Sequence, residues 1–436
     1  MRVESLFGTT SAPARSLRTG RWLELWLLIV AAVCLLTGAA SLQRALPALP
    51  VNPLRLILGL LLVAVVAHVG LRVLLPASDQ ILLPLVVVLS GIGLLFVTRL
   101  EPELGVRQLR WHALGTLALL MLVPLLGRVH RLRRYKYLAA CAGLALMLVT
   151  AAVGREVNGS RLWLGTRDYA VQVTEVMKVL LVVFLAGYLA DRRLILRAAG
   201  QRWRGVRLPT LPYLIPLALI WVLTFLVLVW QRDLGATLLL AGVTLLMLYV
   251  ASGRTSFVLV GAGLVALDVL VAYHLFGYVQ RRIDAWLHPF ADEAAGGYQI
   301  SQALYAVANG GLLGTGIGQG FPGYIPAVHT DFVFAALVEE LGMAGAFAVV
   351  AAYLLLVFRG LAIAARQPTD FTGLLAVGCT AVIALQTLVI IAGNLSLIPI
   401  TGITLPFVSY GGSSILANYA LVAILLRLSV PVAARP

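Results

Sequence analysis

Long apolar runs with few polar interruptions dominate the chain and determine its predicted architecture. Each run holds about 18–25 residues, the length that a helix needs to cross a hydrocarbon core roughly 30 Å thick. Membrane-spanning β-strands would instead alternate apolar and polar positions. The pattern predicts an all-α, polytopic integral membrane bundle of about 12 transmembrane helices, at 22–40, 53–71, 80–98, 111–127, 136–153, 172–190, 210–230, 234–251, 256–275, 331–358, 371–393 and 405–426.

The composition supports this class and excludes others. Of the 436 residues, 61% are hydrophobic and 12% are charged, and the mean hydropathy is +0.97. Soluble domains hold about a quarter charged residues, so a soluble enzyme, a disordered chain and a coiled coil are excluded. A net charge of +15 would suggest nucleic-acid binding in a soluble protein, but in a membrane protein it reports topology. We expect contact with membrane lipid and no nucleic acid.

The placement of arginine orients the predicted helices. Positive loops stay in the cytoplasm, and an inside N-terminus gives the inner segments 21 of the 33 Lys and Arg residues, against 11 outside. The two densest clusters, RVHRLRRYK and DRRLILRAAGQRWRGVR, both fall inside. We predict an N-in, C-in chain with short cytoplasmic tails at 1–21 and 429–436, whose first helix remains as an anchor.

Two outer connections are longer than the others. Residues 154–171 are polar and punctuated by glycine, and residues 276–330 form a large extracytoplasmic loop that keeps aromatic and apolar residues. Long loops in compact proteins are commonly functional. Within this loop, 284–309 suits two short amphipathic helices at the membrane surface, and the glycines of 310–320 allow tight turns. We expect the loop to cover the outer mouth of the bundle.

Ionisable residues inside apolar spans are functional candidates because each costs roughly 2.5–3.5 kcal/mol on insertion scales. Glu175 and Lys178 lie three residues apart on one helix face. They are interpreted either as a salt bridge that permits insertion or as the polar wall of a cavity. Asp233 is interpreted first as a cap of the following helix. Glu24 is interpreted as a side chain that reaches the inner water boundary.

Asp331 occupies an unusual position, in VHTDFVF, where the large outer loop becomes the tenth span. His329 and Thr330 precede it, and Glu339 and Glu340 follow in the same helix. An Asp at this place can cap the helix. A partly desolvated carboxylate at the outer membrane boundary can also act as a general base. The residues alone leave both interpretations open.

The last outer connection, GNLSLIPITGITLPFVSYGGSS, contains no charged residue. Its prolines and glycines interrupt helix, and the run from Ser409 through Gly411 offers small side chains and backbone amides. Small residues let helices pack closely. They also let the head group of a lipid-linked substrate approach backbone N–H donors, and the pattern suits either role.

Six motifs occur in a fixed order along the chain: NGSRLWL, VQVTEVMKVLLV, QRDLGATLLL, YQISQALYAVANGGLLGTGIGQG, IPAVHTDFVFAALVEELGMAG and LIPITGITLPFVSYGGSS. Together they resemble the SEDS family, the family of RodA, FtsW and SpoVE. The resemblance covers about 80–428, and it leaves the first two helices, within 22–79, as an N-terminal extension whose role it does not explain. Two motifs depart from the family pattern, with Val173-Thr174 in place of Pro-Ser and Arg232 in place of Pro.

The resemblance implies a glycosyltransferase that polymerises lipid II at the outer face of the bacterial cytoplasmic membrane. It implies that the essential aspartate of the family is Asp331, acting as a general base on the acceptor hydroxyl. We expect this residue alone to be catalytic. Substrate contacts are expected from Arg161, Trp163, Glu175, Lys178, Asp233, Gln299, His329, Thr330, Ser409 and Gly411.

The resemblance also makes a divalent cation, magnesium or manganese, plausible, with Asp331 as a candidate ligand, although the sequence shows no closed metal site. It implies lipid II as substrate and a class B penicillin-binding protein, a transpeptidase, as partner. A RodA-like role in cell elongation is favoured over an FtsW-like role in division because Thr401 stands where many FtsW sequences carry Lys. A lipid II flippase and a scaffold remain the alternatives from other classes.

Overall fold

The computed structural model is a helical membrane bundle, as the hydrophobic pattern predicts. The residues that it describes are 20–157, 160–165, 170–198, 201–203, 206–208, the single positions 215, 218, 219, 222, 223 and 226, 231–291 and 297–431. Their α-helices, numbered α1 to α13 in chain order, are Trp22–Ala45, Pro53–Leu74, Leu82–Leu100, Pro102–Leu125, Lys136–Val153, Val173–Ala198, Leu234–Ser252, Thr255–Leu275, Gly277–Leu287, Tyr298–Gly310, Val333–Ala365, Asp370–Asn394 and Gly412–Ser429.

Ten stretches of the described residues are long and apolar enough to cross a membrane. One of them, Pro102–Val153, has 52 residues. As a single helix it would measure about 78 Å, more than twice the hydrocarbon thickness. Non-helical angles at Arg128 (φ −113°, ψ 55°) interrupt the stretch between α4 and α5, so it accounts for two of the predicted spans. The predicted span at 210–230 lies mostly outside the described residues.

Several predicted spans have different limits in the structure; α4, for example, begins at Pro102 and not at 111. The last predicted span begins at Gly412 and not at 405, because 405–411 are not helical and include a turn at 406–408, with Phe407 at φ 67°. Helix α11 has 33 residues and is interrupted at Gly342 (φ 68°, ψ −173°). A span of roughly 30 Å needs only about 20 residues. We infer that the part of α11 before this break belongs to the outer layer of the bundle.

Two small antiparallel sheets add to the helices, and the all-α prediction did not include them. The first has the order β1 (Arg155–Val157), β2 (Ser160–Gly165), β3 (Ala170–Gln172) and lies in the predicted polar loop. The second pairs Gln201–Trp203 with Val206–Leu208. The first sheet leads directly into α6, because β3 ends where that helix begins.

The large outer loop holds the two predicted short helices, α9 and α10, although the first starts at Gly277 and not near 284. The glycine-rich run then lies against the break in α11. A Cβ at Gly314 (φ +81°) would stand 2.3 Å from the main-chain oxygen of Glu340, so only glycine fits there. The main-chain N–H of Met343 donates to the oxygen of Gly311 at 3.0 Å.

Two buried glutamates of α11 anchor this loop to the bundle. The carboxylate of Glu340 accepts the N–H of Gly318 at 2.8 Å and is paired with Arg99, in the last turn of α3, at 3.2 Å. The carboxylate of Glu339 accepts the N–H of Phe321 at 3.0 Å. These contacts tie the loop to α3 and α11 just after the region of Asp331.

The N-terminal extension packs against the rest of the bundle, with α1 and α2 against α3 and α2 also against α4. Glu24 lies in this contact and is completely buried. Its carboxylate pairs with Arg21 and contacts Nδ1 of His68 at 2.6 Å. The prediction that Glu24 reaches water was therefore wrong, because two basic partners satisfy its charge inside the protein.

Candidate functional site

Hydrogen bonds hold both main-chain polar groups of Asp331 at the entrance to α11. Its N–H donates to the oxygen of Ala327 at 3.2 Å, and its oxygen accepts Nδ2 of Asn394, at the end of α12, at 2.7 Å. Oδ1 of Asn394 in turn accepts the N–H of Ala335 at 3.0 Å. The helix begins at Val333 with no side-chain cap. The capping interpretation of Asp331 is therefore wrong, because its carboxylate caps no helix N–H.

The side chain of Asp331 is half-buried and faces the last outer connection. Its Oδ2 lies 3.8 Å from the point where a Cβ on Gly402 would stand, and Nη2 of Arg282 lies 3.9 Å from the same point. Burial raises the pKa of Asp331 from 3.8 to about 6, against the opposing effects of a hydrogen bond from Thr330 and the charge of Arg282. A carboxylate with this pKa is ionised at neutral pH and is a stronger base than an exposed one.

Arg282, on the surface helix α9, stands between two aspartates. Its charge acts on Asp331 and also on Asp233, and its Nη1 donates to the oxygen of Ile400 at 3.4 Å. This places a guanidinium beside the proposed base, and its planar fork of N–H donors suits phosphate oxygens.

Asp233 caps α7, as predicted, by accepting the N–H of Ala236 at 3.0 Å. It is buried, and this burial raises its pKa, while the helix N–H and the charge of Arg282 lower it. Gln172, the last residue of β3, also reaches its carboxyl group. Asp233 therefore supports the wall of the site that lies beneath Arg282.

Glu175 and Lys178 form the predicted ion pair, and both are buried. Nζ of Lys178 also donates to Oε1 of Gln386 at 2.8 Å, and Nε2 of Gln386 donates to the oxygen of Thr404 at 2.7 Å. The pair therefore belongs to a chain of polar contacts that holds the 401–404 segment, which includes Gly402, against α6 and α12.

The segment that contains Asp331 is joined to the last outer connection by hydrogen bonds of Ser409 and Tyr410 to Thr330 and His329. Oγ of Ser409 donates to the oxygen of Thr330 at 2.5 Å, and the N–H of Tyr410 donates to the oxygen of His329 at 2.9 Å. Ser409 is only 2% exposed. Ser409 therefore fixes the main chain of the residue before Asp331. Gly411 follows as the residue before α13.

The remaining predicted contacts lie on the outer elements. Trp163 of β2 pairs with Gln172 of β3, which brings this strand towards Asp233. Arg161 is exposed and pairs with Glu156 at 3.4 Å. Nε2 of Gln299, on α10, donates to the oxygen of Pro326 at 2.8 Å and so supports the segment that precedes Asp331.

Three residues that the sequence analysis did not propose as site residues have central places here. Asn394 locks the backbone of Asp331, Gln386 links Lys178 to the 401–404 segment, and Gly402 lies between Asp331 and Arg282. Asn394 and Gln386 are lone amides in an apolar helix. A polar side chain in a spanning helix usually has a partner in the bundle, so both residues could have been identified as candidates from the sequence.

Among the described residues, no group of three or more His, Cys, Asp or Glu side chains could hold a metal ion. Asp331 offers a half-buried carboxylate near the guanidinium of Arg282, while Asp233, the other carboxylate near Arg282, is buried as a helix cap. Magnesium commonly binds through one or two carboxylates, water and substrate phosphates. The donor set therefore fits an ion that arrives with a phosphorylated substrate and does not fit a closed protein site.

Comparisons with known proteins agree on one family. The family model described as "Cell cycle protein", FtsW/RodA/SpoVE, matches residues 70–433. Peptidoglycan glycosyltransferase RodA of Mycobacterium tuberculosis is 40% identical over 376 residues, which are 83% of this chain and 80% of the relative. Stage V sporulation protein E of Bacillus subtilis is 34% identical over 330 residues, 74% of this chain and 86% of the relative.

Solved structures show the same relationship. A chain from a structure described as "Structural coordination of polymerization and crosslinking by a peptidoglycan synthase complex" superposes with a TM-score of 0.68 at 29% identity, over 81% of this chain and 98% of that one. The rod shape determining protein RodA of Thermus thermophilus superposes with a TM-score of 0.59 at 27% identity, over 81% of this chain and 97% of that one.

Proposed function

This chain belongs to the FtsW/RodA/SpoVE family, and we propose that it is a peptidoglycan glycosyltransferase that polymerises lipid II at the outer face of the bacterial cytoplasmic membrane. Its higher identity to the RodA relative than to the sporulation relative favours a role in cell elongation. The observation that supports the chemistry is the half-buried Asp331 beside Arg282 across Gly402.

We assign the general base to Asp331. Its carboxylate takes the proton from the acceptor sugar's hydroxyl, whose oxygen forms a bond to the anomeric carbon of the donor as the bond from that carbon to the diphosphate breaks. One base is sufficient for this inverting displacement. The acceptor oxygen attacks the anomeric carbon directly, so no second carboxylate is needed as a nucleophile. A pKa of about 6 leaves Asp331 ionised at neutral pH.

The leaving diphosphate carries negative charge, and Arg282 is placed to receive it. Its guanidinium donates through Nη1 to the oxygen of Ile400 at 3.4 Å, and its charge acts on both Asp331 and Asp233. A magnesium or manganese ion bound through the diphosphate, with Asp331 as its protein ligand, would neutralise the same charge.

Transport of lipid II is the second candidate, and the Glu175–Lys178 pair is its best support. Both residues lie in the first two turns of α6, within about 8 Å of its outer end by helix rise. Transport sites usually lie near the membrane midplane. The position of the pair, with its link to Gln386 and Thr404, favours a supporting wall for the outer site.

We further propose a class B penicillin-binding protein as partner. The superposed structure is described as a synthase complex that coordinates polymerisation and crosslinking. A glycan polymerase of this kind produces strands that a separate transpeptidase would crosslink.

The experiment is a lipid II polymerisation assay with the purified full chain, with and without a class B transpeptidase and with and without magnesium or manganese. Asp331→Asn keeps the shape of the side chain and removes its basicity, so we expect polymerisation to fall by about 10²–10⁴-fold. The matched control is Asp370→Asn, at the opposite end of the bundle, whose surface ion pair with Arg193 has little energetic value.

Polymerisation by Asp331→Asn at the parent rate would show that Asp331 is not the base. Movement of lipid II across liposome membranes without chain elongation would favour the transporter. If the parent protein binds its partner but polymerises no lipid II under any of these conditions, the result would favour the scaffold.

A further inference from the structure

A polar cavity of about 590 Å³ lies at the opposite end of the bundle from Asp331. It forms where the N-terminal extension joins the family core. Its walls come from Leu23 at the start of α1, the connection 77–81, the end of α11 and the end of α13. A cavity of this size can hold a phospholipid head group with its glycerol.

The cavity lies at the level of lipid head groups on the inner side of the membrane. Trp22 and Trp26, in the first turns of α1, are each 64% exposed on the surface of the bundle. Exposed tryptophans gather at membrane–water interfaces. The distribution of arginines assigns this end to the cytoplasm. The inner leaflet carries anionic lipids that attract basic residues.

Asp79, the acidic residue in the cavity wall, is fully compensated. Its Oδ2 accepts Nε of Arg359 at 2.9 Å, and its Oδ1 accepts the N–H groups of Ile81 and Leu82 at 2.9 and 3.2 Å. Nη2 of Arg359 contacts the same carboxylate. The neighbouring Arg21 is compensated in the same way by Glu24. These pairs contribute no net charge to the cavity.

Arg366 is the source of the positive charge in the cavity that these ion pairs do not neutralise. Its guanidinium is exposed, lines the cavity, and forms no hydrogen bond or ion pair with any residue that the structure describes. Nη1 of Arg359 likewise has no partner in the described part of the chain. Two guanidinium groups therefore present free N–H donors to the same cavity, whose net charge is about +1. Such a cavity suits an anion.

We propose that this cavity binds the phosphate group of an anionic phospholipid. Arg366 and Arg359 hold the phosphate oxygens, because a planar guanidinium fork matches a phosphate in geometry as well as charge. Leu23, Ile363 and Leu428 give the cavity an apolar side for the glycerol and the first acyl carbons. Free phosphate shares the same recognition chemistry.

Such a lipid would contact the extension, α11 and α13 together. A ligand that binds the folded state alone stabilises it according to its concentration and affinity. Phosphatidylglycerol is therefore expected to raise the unfolding temperature of the parent protein through this cavity. The proposal does not depend on the assignment of Asp331.

The test measures lipid retention by native mass spectrometry on the purified full chain in detergent. The probes are phosphatidylglycerol, phosphatidylcholine and inorganic phosphate. We expect the parent to retain phosphatidylglycerol in preference to phosphatidylcholine, and Arg366→Gln to bind it about tenfold more weakly, as loss of one charged hydrogen bond predicts. Arg72→Gln is the matched control, because Arg72 is an exposed arginine in the last turn of α2 outside the cavity lining.

Equal retention of the two lipids, or equal loss of binding in Arg366→Gln and Arg72→Gln, would overturn the proposal. Binding of inorganic phosphate that depends on Arg366, without retention of phosphatidylglycerol, would support the anion site and assign it to soluble phosphate. Unfolding temperatures in lipid-free detergent provide the folding control, and Arg366→Gln is expected to match the parent there because Arg366 is exposed.

Discussion

Asn394 joins the end of α12 to the main chain on both sides of the α11 entrance. Its Nδ2 donates to the oxygen of Asp331 at 2.7 Å, and its Oδ1 accepts the N–H of Ala335 at 3.0 Å. The amide therefore determines where Asp331 stands relative to the last outer connection, although it does not touch the carboxylate. We regard Asn394 as a positioning residue for the proposed base.

Replacement of Asn394 by Leu should lower both stability and polymerisation. Two main-chain groups lose their partner, and each buried unsatisfied group costs about 1–3 kcal/mol. We expect a lower unfolding temperature and a reduced kcat, because Asp331 would no longer be held at one place. Asn52→Ala is the control: Asn52 also uses its side chain to accept a main-chain N–H, that of Arg55 at 3.2 Å, but on the exposed extension. If both variants lose activity to the same extent, the positioning role is wrong.

The rate of polymerisation should fall as pH decreases through about 6, where Asp331 becomes protonated. Arg282 favours the ionised form, so Arg282→Gln should move the acidic limb of the pH–rate profile to higher pH. Arg282→Lys should restore part of the shift. The matched control is Arg281→Gln, an exposed neighbour that should leave the limb in place.

The same raised pKa has a stability consequence. Because the pKa of Asp331 is higher in the folded state than its ordinary 3.8, its contribution to stability is greatest below that value and is lost as pH rises through about 6. Asp331→Asn should therefore show a smaller decrease in unfolding temperature between pH 5 and 7 than the parent. An identical pH dependence in the two proteins would contradict burial as the cause.

The outer end of the extension should influence polymerisation through the glycine-rich loop. A Cβ on Gly318 would lie 3.0 Å from Cβ of Ala45, so this loop passes directly against α1. Ala45→Leu adds three carbons to that contact and should displace the loop that precedes Asp331, with a larger change in KM than in unfolding temperature. Ala48→Leu makes the same change at an exposed position nearby and should match the parent.

Removal of one member of the Glu175–Lys178 pair should be more damaging than removal of both. Lys178→Met leaves a buried carboxylate without its partner, a loss of about 3–5 kcal/mol, whereas replacing a whole buried pair is often close to neutral. We therefore expect Lys178→Met to lower the unfolding temperature strongly and the Glu175→Gln, Lys178→Met double variant to recover most of it. Additive effects of the two substitutions would show that the residues do not interact.

The hydrophobic pattern was sufficient for the helices but not for their interruptions. Runs of apolar residues predict spans because each span must satisfy its own backbone in lipid. The break at Gly342 was not predicted, because it arises from the loop at 310–318, which is distant in sequence and lies against α11. The sequence likewise left open whether Asp331 caps a helix, and the structure excludes a cap because the helix begins two residues later.

By itself the sequence determined the membrane class and identified Asp331, Glu175, Lys178 and Asp233 as candidates, because charge in or beside an apolar span is costly and visible in one dimension. The spacing also predicted the Glu175–Lys178 pair and the cap by Asp233, but only the tertiary structure decided the partners of Asp331. Arg282, Asn394 and Gly402 come from separate outer segments, and they meet Asp331 because α9, α12 and the last outer connection converge at one end of the bundle. Proximity across a folded bundle depends on how helices pack, and spacing along the chain does not record it.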